Sequence, residues 1–229
     1  MAKAFIQLGL QKYTTVCILG FNSPEWIISN VAAIFAGGFA TGIYPTNGPE
    51  ACKYILEHSR CSILVVEDQK QLDKVWSFRN DLPNLKKIVQ YSGVPSHPSV
   101  ISWKDLQNQG KTLEEDSLET RLRGIAINKC CTLVYTSGTT GNPKGVMLSH
   151  ENFTSLIAAL APVFPLKQSD RLLSVLPLHH TFEFPCGMLL PYSRGARVVY
   201  LDEVAGDRVV KGLELGKVTS MVGVPAVWQ

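Results

Sequence analysis

Short apolar runs alternate along the chain with longer segments in which apolar residues recur every three or four positions. Residues 16–19 read as a strand that stops at Gly20. Ser23 then caps a helix, with Pro24 and Glu25 in its first turn and Gly37 at its end. Residues 41–44 read as the next strand, and Pro49 opens a helix reaching His58. The run 62–66 is continuously apolar, as a strand buried on both faces would be. A helix over 69–78 and a strand over 87–90 follow. From 92 to 129 the pattern weakens: Pro95 and Pro98 mark a loop, Ser102 caps a short helix before Gly110, and 114–123 is a charged helix. Alternation resumes with strands over 131–136, 172–176, 197–201 and 220–224. The clearest helix between them covers 150–161, with Phe153, Leu156, Ile157 and Leu160 on one face. Repeated βαβ units predict an α/β fold with largely parallel sheets. The expected division is a first α/β lobe over 1–91, a connecting region over 92–129 and a second α/β lobe over 130–229.

Composition changes this picture little. Hydrophobic residues make up 45% and charged ones 18%, a globular balance with enough apolar material for a core. The net charge of +3 comes from scattered residues, with no basic run longer than Lys86-Lys87, which argues against a nucleic-acid partner. The six cysteines form no C-x-x-C pair, and no histidine stands at zinc-ligand spacing from them. They are expected to be small buried hydrophobes in a reducing compartment. The longest apolar stretch, 26–44, contains Gly37-Gly38 and several hydroxyl and amide side chains, so it reads as helix, turn and strand rather than a membrane span.

One segment carries chemistry. Residues 135–145, Y-T-S-G-T-T-G-N-P-K-G, follow a strand and precede the amphipathic helix. Glycines let the backbone turn tightly and approach a ligand, hydroxyls and amides supply donors, and Lys144 supplies positive charge, a set suited to a polyphosphate. A polar surface loop is built from the same residue types. The spacing is not that of a Walker A loop, because two residues rather than four separate Gly138 from Gly141, and Lys144 lies between Pro143 and Gly145.

The run Thr136-Ser137-Gly138-Thr139-Thr140-Gly141-Asn142-Pro143-Lys144-Gly145 resembles the signature phosphate loop of the adenylate-forming superfamily, which includes acyl-CoA synthetases, luciferases and peptide-synthetase adenylation domains. Further stretches agree. Asn22-Ser23-Pro24-Glu25-Trp26 resembles an early motif of long-chain synthetases, and Ala36-Gly37-Gly38 through Tyr44-Pro45 resembles the run that follows it. Leu176-Pro177-Leu178-His179-His180 resembles the family's substrate motif, and Gly223-Val224-Pro225-Ala226-Val227-Trp228 a later segment. The first portion is most similar to bubblegum-type long-chain synthetases. From about Asn152 onward, the chain is more similar to bacterial ones.

The resemblance implies the N-terminal domain of an adenylate-forming enzyme, incomplete here and without the C-terminal domain. It implies ATP binding through Thr136, Ser137, Gly138, Thr139, Thr140, Gly141 and Lys144, with Thr136 helping to hold Mg²⁺. It implies that His179, His180 and Phe184 meet the substrate, with His180 near the carboxylate and Phe184 at the mouth of an acyl tunnel. The implied activity converts a long-chain fatty acid to acyl-AMP and then acyl-CoA, with CoA as co-substrate. The family's adenine, ribose and catalytic-lysine motifs do not occur in these 229 residues, so weak ATP binding and little ligase turnover are expected of the chain alone. Two other readings stay open: a non-catalytic fragment that binds a nucleotide or a partner, and adenylation of an aryl or amino acid. A cytoplasmic location is expected, with peripheral attachment to intracellular membranes as the alternative that water-insoluble substrates would bring.

Overall fold

The computed structural model describes residues 1–136 and 142–225. In chain order the elements are α1 (Ala2–Gln7), β1 (Thr15–Leu19), α2 (Pro24–Phe35), β2 (Phe39–Ile43), α3 (Pro49–His58), β3 (Cys61–Val66), α4 (Gln69–Trp76), β4 (Lys87–Gln90), β5 (Val100–Ser102), α5 (Trp103–Gln109) and α6 (Glu115–Leu122). There follow β6 (Cys130–Thr136), β7 (Lys144–Ser149), α7 (His150–Leu160), β8 (Arg171–Ser174), a π-helix (Phe184–Leu189), α8 (Leu190–Ser193), β9 (Arg197–Tyr200), α9 (Gly206–Leu215) and β10 (Ser220–Met221).

The chain divides into two units. The first comprises 1–20 and 25–150, the second 21–24 and 151–229. The first holds a seven-stranded sheet in the order β5-β4-β3-β1-β2-β6-β7, parallel except where β7 returns against β6. Every residue of β1 and of β3 is buried, which is why those runs carry no polar alternation. Helices α3 and α4 supply Cys52, Ile55, Leu56, Leu72 and Val75 to a core that also contains Leu19, Ile43, Leu64 and Val66.

Local chemistry fixes the element ends. Pro49 stands in the first turn of α3. Asp68 accepts from the Gln71 amide at 2.9 Å to start α4, and Ser102 accepts from the Asp105 amide at 3.2 Å to start α5. Helix α2 ends where Gly37 adopts φ +78°, and a side chain at Gly38 would lie 2.7 Å from the Thr14 carbonyl. The apolar stretch 26–44 is thus a helix, a glycine turn and a strand, and no helix among the described residues is long and apolar enough to cross a membrane.

The second unit holds a three-stranded parallel sheet in the order β10-β8-β9. Leu172, Leu173, Val175, Leu178, Met188 and Leu190 are buried there. On α7 only Phe153 is buried, and Leu156 is 39% exposed, so the expected apolar face is covered at one end alone.

The observed division differs from the one expected. Strand β6, placed at the start of a second lobe, hydrogen-bonds to β2 in the first sheet. The stretch 92–129 contributes β5, α5 and α6 to the first unit.

Candidate functional site: the β6–β7 hairpin and the 174–187 segment

The glycine- and hydroxyl-rich run does not lead straight into a helix, as its sequence suggested. It joins two antiparallel strands, with Thr136 opposite Lys144, Tyr135 opposite Gly145, Val134 opposite Val146 and Leu133 opposite Met147. The helix begins only at His150. Directly opposed residues project to the same face, and successive pairs alternate. Tyr135 is buried while Thr136 and Lys144 are both exposed, so the hydroxyl and the ammonium stand on the solvent side at the loop end of the hairpin. Thr132 ties β6 to the sheet by donating to the buried Ala40 carbonyl at 2.7 Å. Ser137, Gly138, Thr139, Thr140 and Gly141 lie outside the described residues.

On the inward side of the hairpin lies an aromatic cluster. The Tyr135 hydroxyl is 2.8 Å from His58 Nδ1, and Tyr54 stacks on the His58 ring at 5.4 Å. Burial raises the Tyr135 phenol above its ordinary pKa and keeps it protonated, so it has a proton to share in the hydrogen bond with His58 Nδ1.

The second cluster of expected residues follows β8. The His180 amide donates to the Pro177 carbonyl at 2.9 Å, and the Phe182 amide donates to His180 Nδ1 at 3.2 Å. In that arrangement the neutral His180 ring carries its proton on Nε2. His180 is exposed, and His179 is buried. Burial, reinforced by the neighbouring His180, pushes the His179 imidazole down to about 3, so His179 stays neutral at physiological pH. Phe184 is buried and packs edge-to-face on Phe153, with centroids 5.1 Å apart. It opens the π-helix, an irregular turn found disproportionately at functional sites.

The sequence reading missed what holds this segment. Asn22 donates to Ser174 Oγ at 2.9 Å and to the Leu176 carbonyl at 2.6 Å, and its own carbonyl oxygen accepts from the Leu178 amide at 2.9 Å. Ser174 Oγ in turn donates to Glu183 Oε1 at 2.6 Å. Glu183 is wholly buried, and its Oε2 has no hydrogen-bond partner among the described residues. Burial pushes its carboxyl up to about 7, opposed only by the Ser174 hydrogen bond. Space for it exists because residue 187 is glycine: a Cβ there would fall 2.3 Å from Glu183 Oε1. Two signals were present in the sequence: a lone acid inside the apolar run 182–190, and an asparagine two residues after the glycine that ends the first strand.

Comparison with known proteins gives this arrangement a lineage. The AMP-binding enzyme family matches residues 1–229. This chain belongs to that family. It is 42% identical to a long-chain-fatty-acid–CoA ligase, ACSBG2, of Xenopus laevis, and 41% identical to ACSBG1 of Rattus norvegicus. Both alignments cover all of this chain but 32% and 33% of the relatives, so the chain spans about a third of their length. Among solved structures, the anthranilate CoA ligase AuaEII in complex with anthranoyl-AMP superposes with a TM-score of 0.84 at 28% identity, over 96% of this chain and 42% of that one. ATP-bound MatB from Rhodopseudomonas palustris gives 0.77 at 21% identity, over 98% and 43%, a likeness of fold. The AMP-binding fold accounts for the mostly parallel α/β layering of the first unit.

Proposed function

We propose that this chain is part of the ATP-binding domain of a long-chain fatty acid–CoA ligase. In the proposed reaction a fatty carboxylate oxygen attacks the α-phosphorus of ATP, forming acyl-AMP and expelling pyrophosphate. The CoA thiolate then attacks the acyl carbon, forming the thioester and releasing AMP. The observation that carries this reading is the exposed Thr136–Lys144 pair at the loop end of the hairpin, in a chain 42% identical to a long-chain-fatty-acid ligase. That identity favours a fatty acid over an aryl acid, since the aryl-acid ligase found among solved structures is 28% identical.

Lys144 neutralises charge on the β- and γ-phosphates, and the loop residues Ser137, Gly138, Thr139, Thr140 and Gly141 supply hydroxyl and amide donors to them. Magnesium, if bound with the nucleotide, would supply further positive charge to the phosphates. No cluster of three or more His, Cys, Asp or Glu that could hold a metal occurs among the described residues. The Thr136 hydroxyl suits a role as one ligand beside phosphate oxygens and water, the usual mode for this cation. His180, with a donor nitrogen to offer, hydrogen-bonds the substrate carboxylate, and Phe184 borders the acyl chain. His179, held neutral in the interior, supports the turn that presents His180.

Calorimetric titration of the chain with MgATP tests the reading. Lys144→Ala is expected to weaken binding about tenfold or more, the factor of one charge-assisted hydrogen bond. Equal affinity in the two proteins refutes the assignment. Pyrophosphate release with palmitate is expected to stay near background in the chain by itself.

A further inference from the structure

We infer that His58 and Tyr135 are positioning residues that lock the register of the β6–β7 hairpin and thereby hold Lys144 opposite Thr136 on the solvent face. The inference deepens the phosphate-binding reading of the hairpin and rests on it for its functional meaning.

The hairpin needs such a lock. Strand β6 pairs with β2 through Ala40↔Thr132 and Thr41↔Leu133 alone, so its loop-proximal half extends beyond that pairing. Strand β7 is the last strand of the sheet, and Val146 and Met147 on it are 42% and 65% exposed. Beside the hairpin lies a cavity of about 670 Å³, lined in part by Leu133, Tyr135, Gly145 and Met147, so little packs against this part of β7. Register is weakly specified in a strand with neither face firmly buried. A slip of one residue would turn Lys144 to the opposite face, away from Thr136.

Tyr135 and Gly145 remove that freedom. They form the pair next to Thr136–Lys144. The Tyr135 ring lies over Gly145 so closely that a Cβ there would stand 3.1 Å from Cζ and 3.2 Å from the hydroxyl oxygen. A slip would bring Val146 or Lys144, each with a side chain, under the same ring. The ring can enforce this only if it is held in place. His58 holds it, at 2.8 Å from the hydroxyl. His58 is the last residue of α3, stacked on Tyr54 of the preceding turn. Two residues on, Arg60 turns the chain into β3 with φ +53°. The lock therefore runs from a central strand, through the end of a packed helix, to the hairpin. Neither Tyr135 nor His58 needs to touch nucleotide for this.

The full chain is compared with His58→Ala, His58→Gln and Tyr135→Phe by amide hydrogen exchange, with MgATP titration and thermal unfolding alongside. His58→Ala and Tyr135→Phe are expected to speed exchange at residues 144–148 by about three- to tenfold, the range a single neutral hydrogen bond carries, with β1 and β3 unchanged. His58→Gln, whose side-chain carbonyl can still accept the phenol proton, is expected to restore protection. MgATP affinity should fall in step with lost protection. Exchange that is unchanged at 144–148, or that rises equally throughout the first sheet, overturns the lock. So does nucleotide affinity that responds to Lys144→Ala but to neither clamp variant. If the parent chain binds no MgATP while exchange behaves as expected, the phosphate-binding reading falls and the register lock stands.

Discussion

Glu183 offers the sharpest test of how the 174–187 segment is held. Its carboxyl is buried with no ion-pair partner among the described residues, and its pKa is moved from 4.5 to about 7 by burial. A change of that size corresponds to roughly 3 kcal/mol of difference between the protonated and ionised forms. The folded state holds this proton more tightly than the unfolded chain does. Stability is therefore greatest below the unfolded value of 4.5, falls as pH rises through the window to about 7, and then levels off. Glu183→Gln keeps an acceptor for the Ser174 hydroxyl and removes the ionisation. Whatever the amide nitrogen costs at the partnerless Oε2 position, that cost does not change with pH. His179 acts in the opposite sense, because its folded value of about 3 lies below the unfolded 6.5 and it withdraws stability as pH falls. That contribution is common to both proteins and cancels in their difference. Urea unfolding followed by hydrogen exchange at β8 reads the second unit across this pH range. The stability of Glu183→Gln minus that of the parent should rise by roughly 3 kcal/mol from the acid end of the window to pH 8. A difference that stays flat would refute the account of a carboxyl kept neutral by burial.

Other consequences can be measured directly. Asn22→Ala removes three hydrogen bonds at once and strands the Leu178 amide, so calorimetry should show a loss of about 2–4 kcal/mol. Gly187→Ala drives a methyl into Glu183 and should cost about 1–3 kcal/mol in the same assay, with most of that recovered in the double variant Gly187→Ala/Glu183→Ala. Burial pushes the Cys131 thiol up to about 12 and raises Cys61 well above its ordinary value. Both should resist a thiol-disulfide reagent at neutral pH until the chain is unfolded, and prompt labelling of either in the native protein would contradict their placement.

The regular elements were legible where one physical cause dominates. Strands β1 and β3 are apolar because both faces are buried, and helix α3 announces itself through Pro49 and its amphipathic spacing. Strand β7 was not legible: none of its residues is buried and they follow no clean alternation, since an edge strand answers to its partner more than to a core. Helix α1 and strand β5 are too short to establish a period. The π-helix has no signature beyond a proline at its start. In the candidate site, Thr136, Lys144 and His180 were singled out by the resemblance of their motifs to a known family, and their roles belong to the proposal. Asn22 meets Ser174, Leu176 and Leu178 more than 150 positions away, and Glu183 is defined by its burial and its bond from Ser174, none of which a local pattern encodes. The five loop residues between Ser137 and Gly141 lie outside the described structure, and their part in phosphate binding is carried by the proposal alone.

The inclusion of residues 21–24 in the second unit bears on how the protein is made. Asn22 leaves the ribosome 152 residues ahead of Ser174, the side chain it bonds. At ordinary elongation rates of about 5–20 residues per second, that interval is on the order of ten to thirty seconds. Through that time a polar side chain waits between a finished strand and a finished helix, with its eventual carbonyl, amide and hydroxyl partners unmade. The second unit is thus closed by a fragment of the chain's beginning, and expressing 151–229 alone would omit the asparagine that staples it.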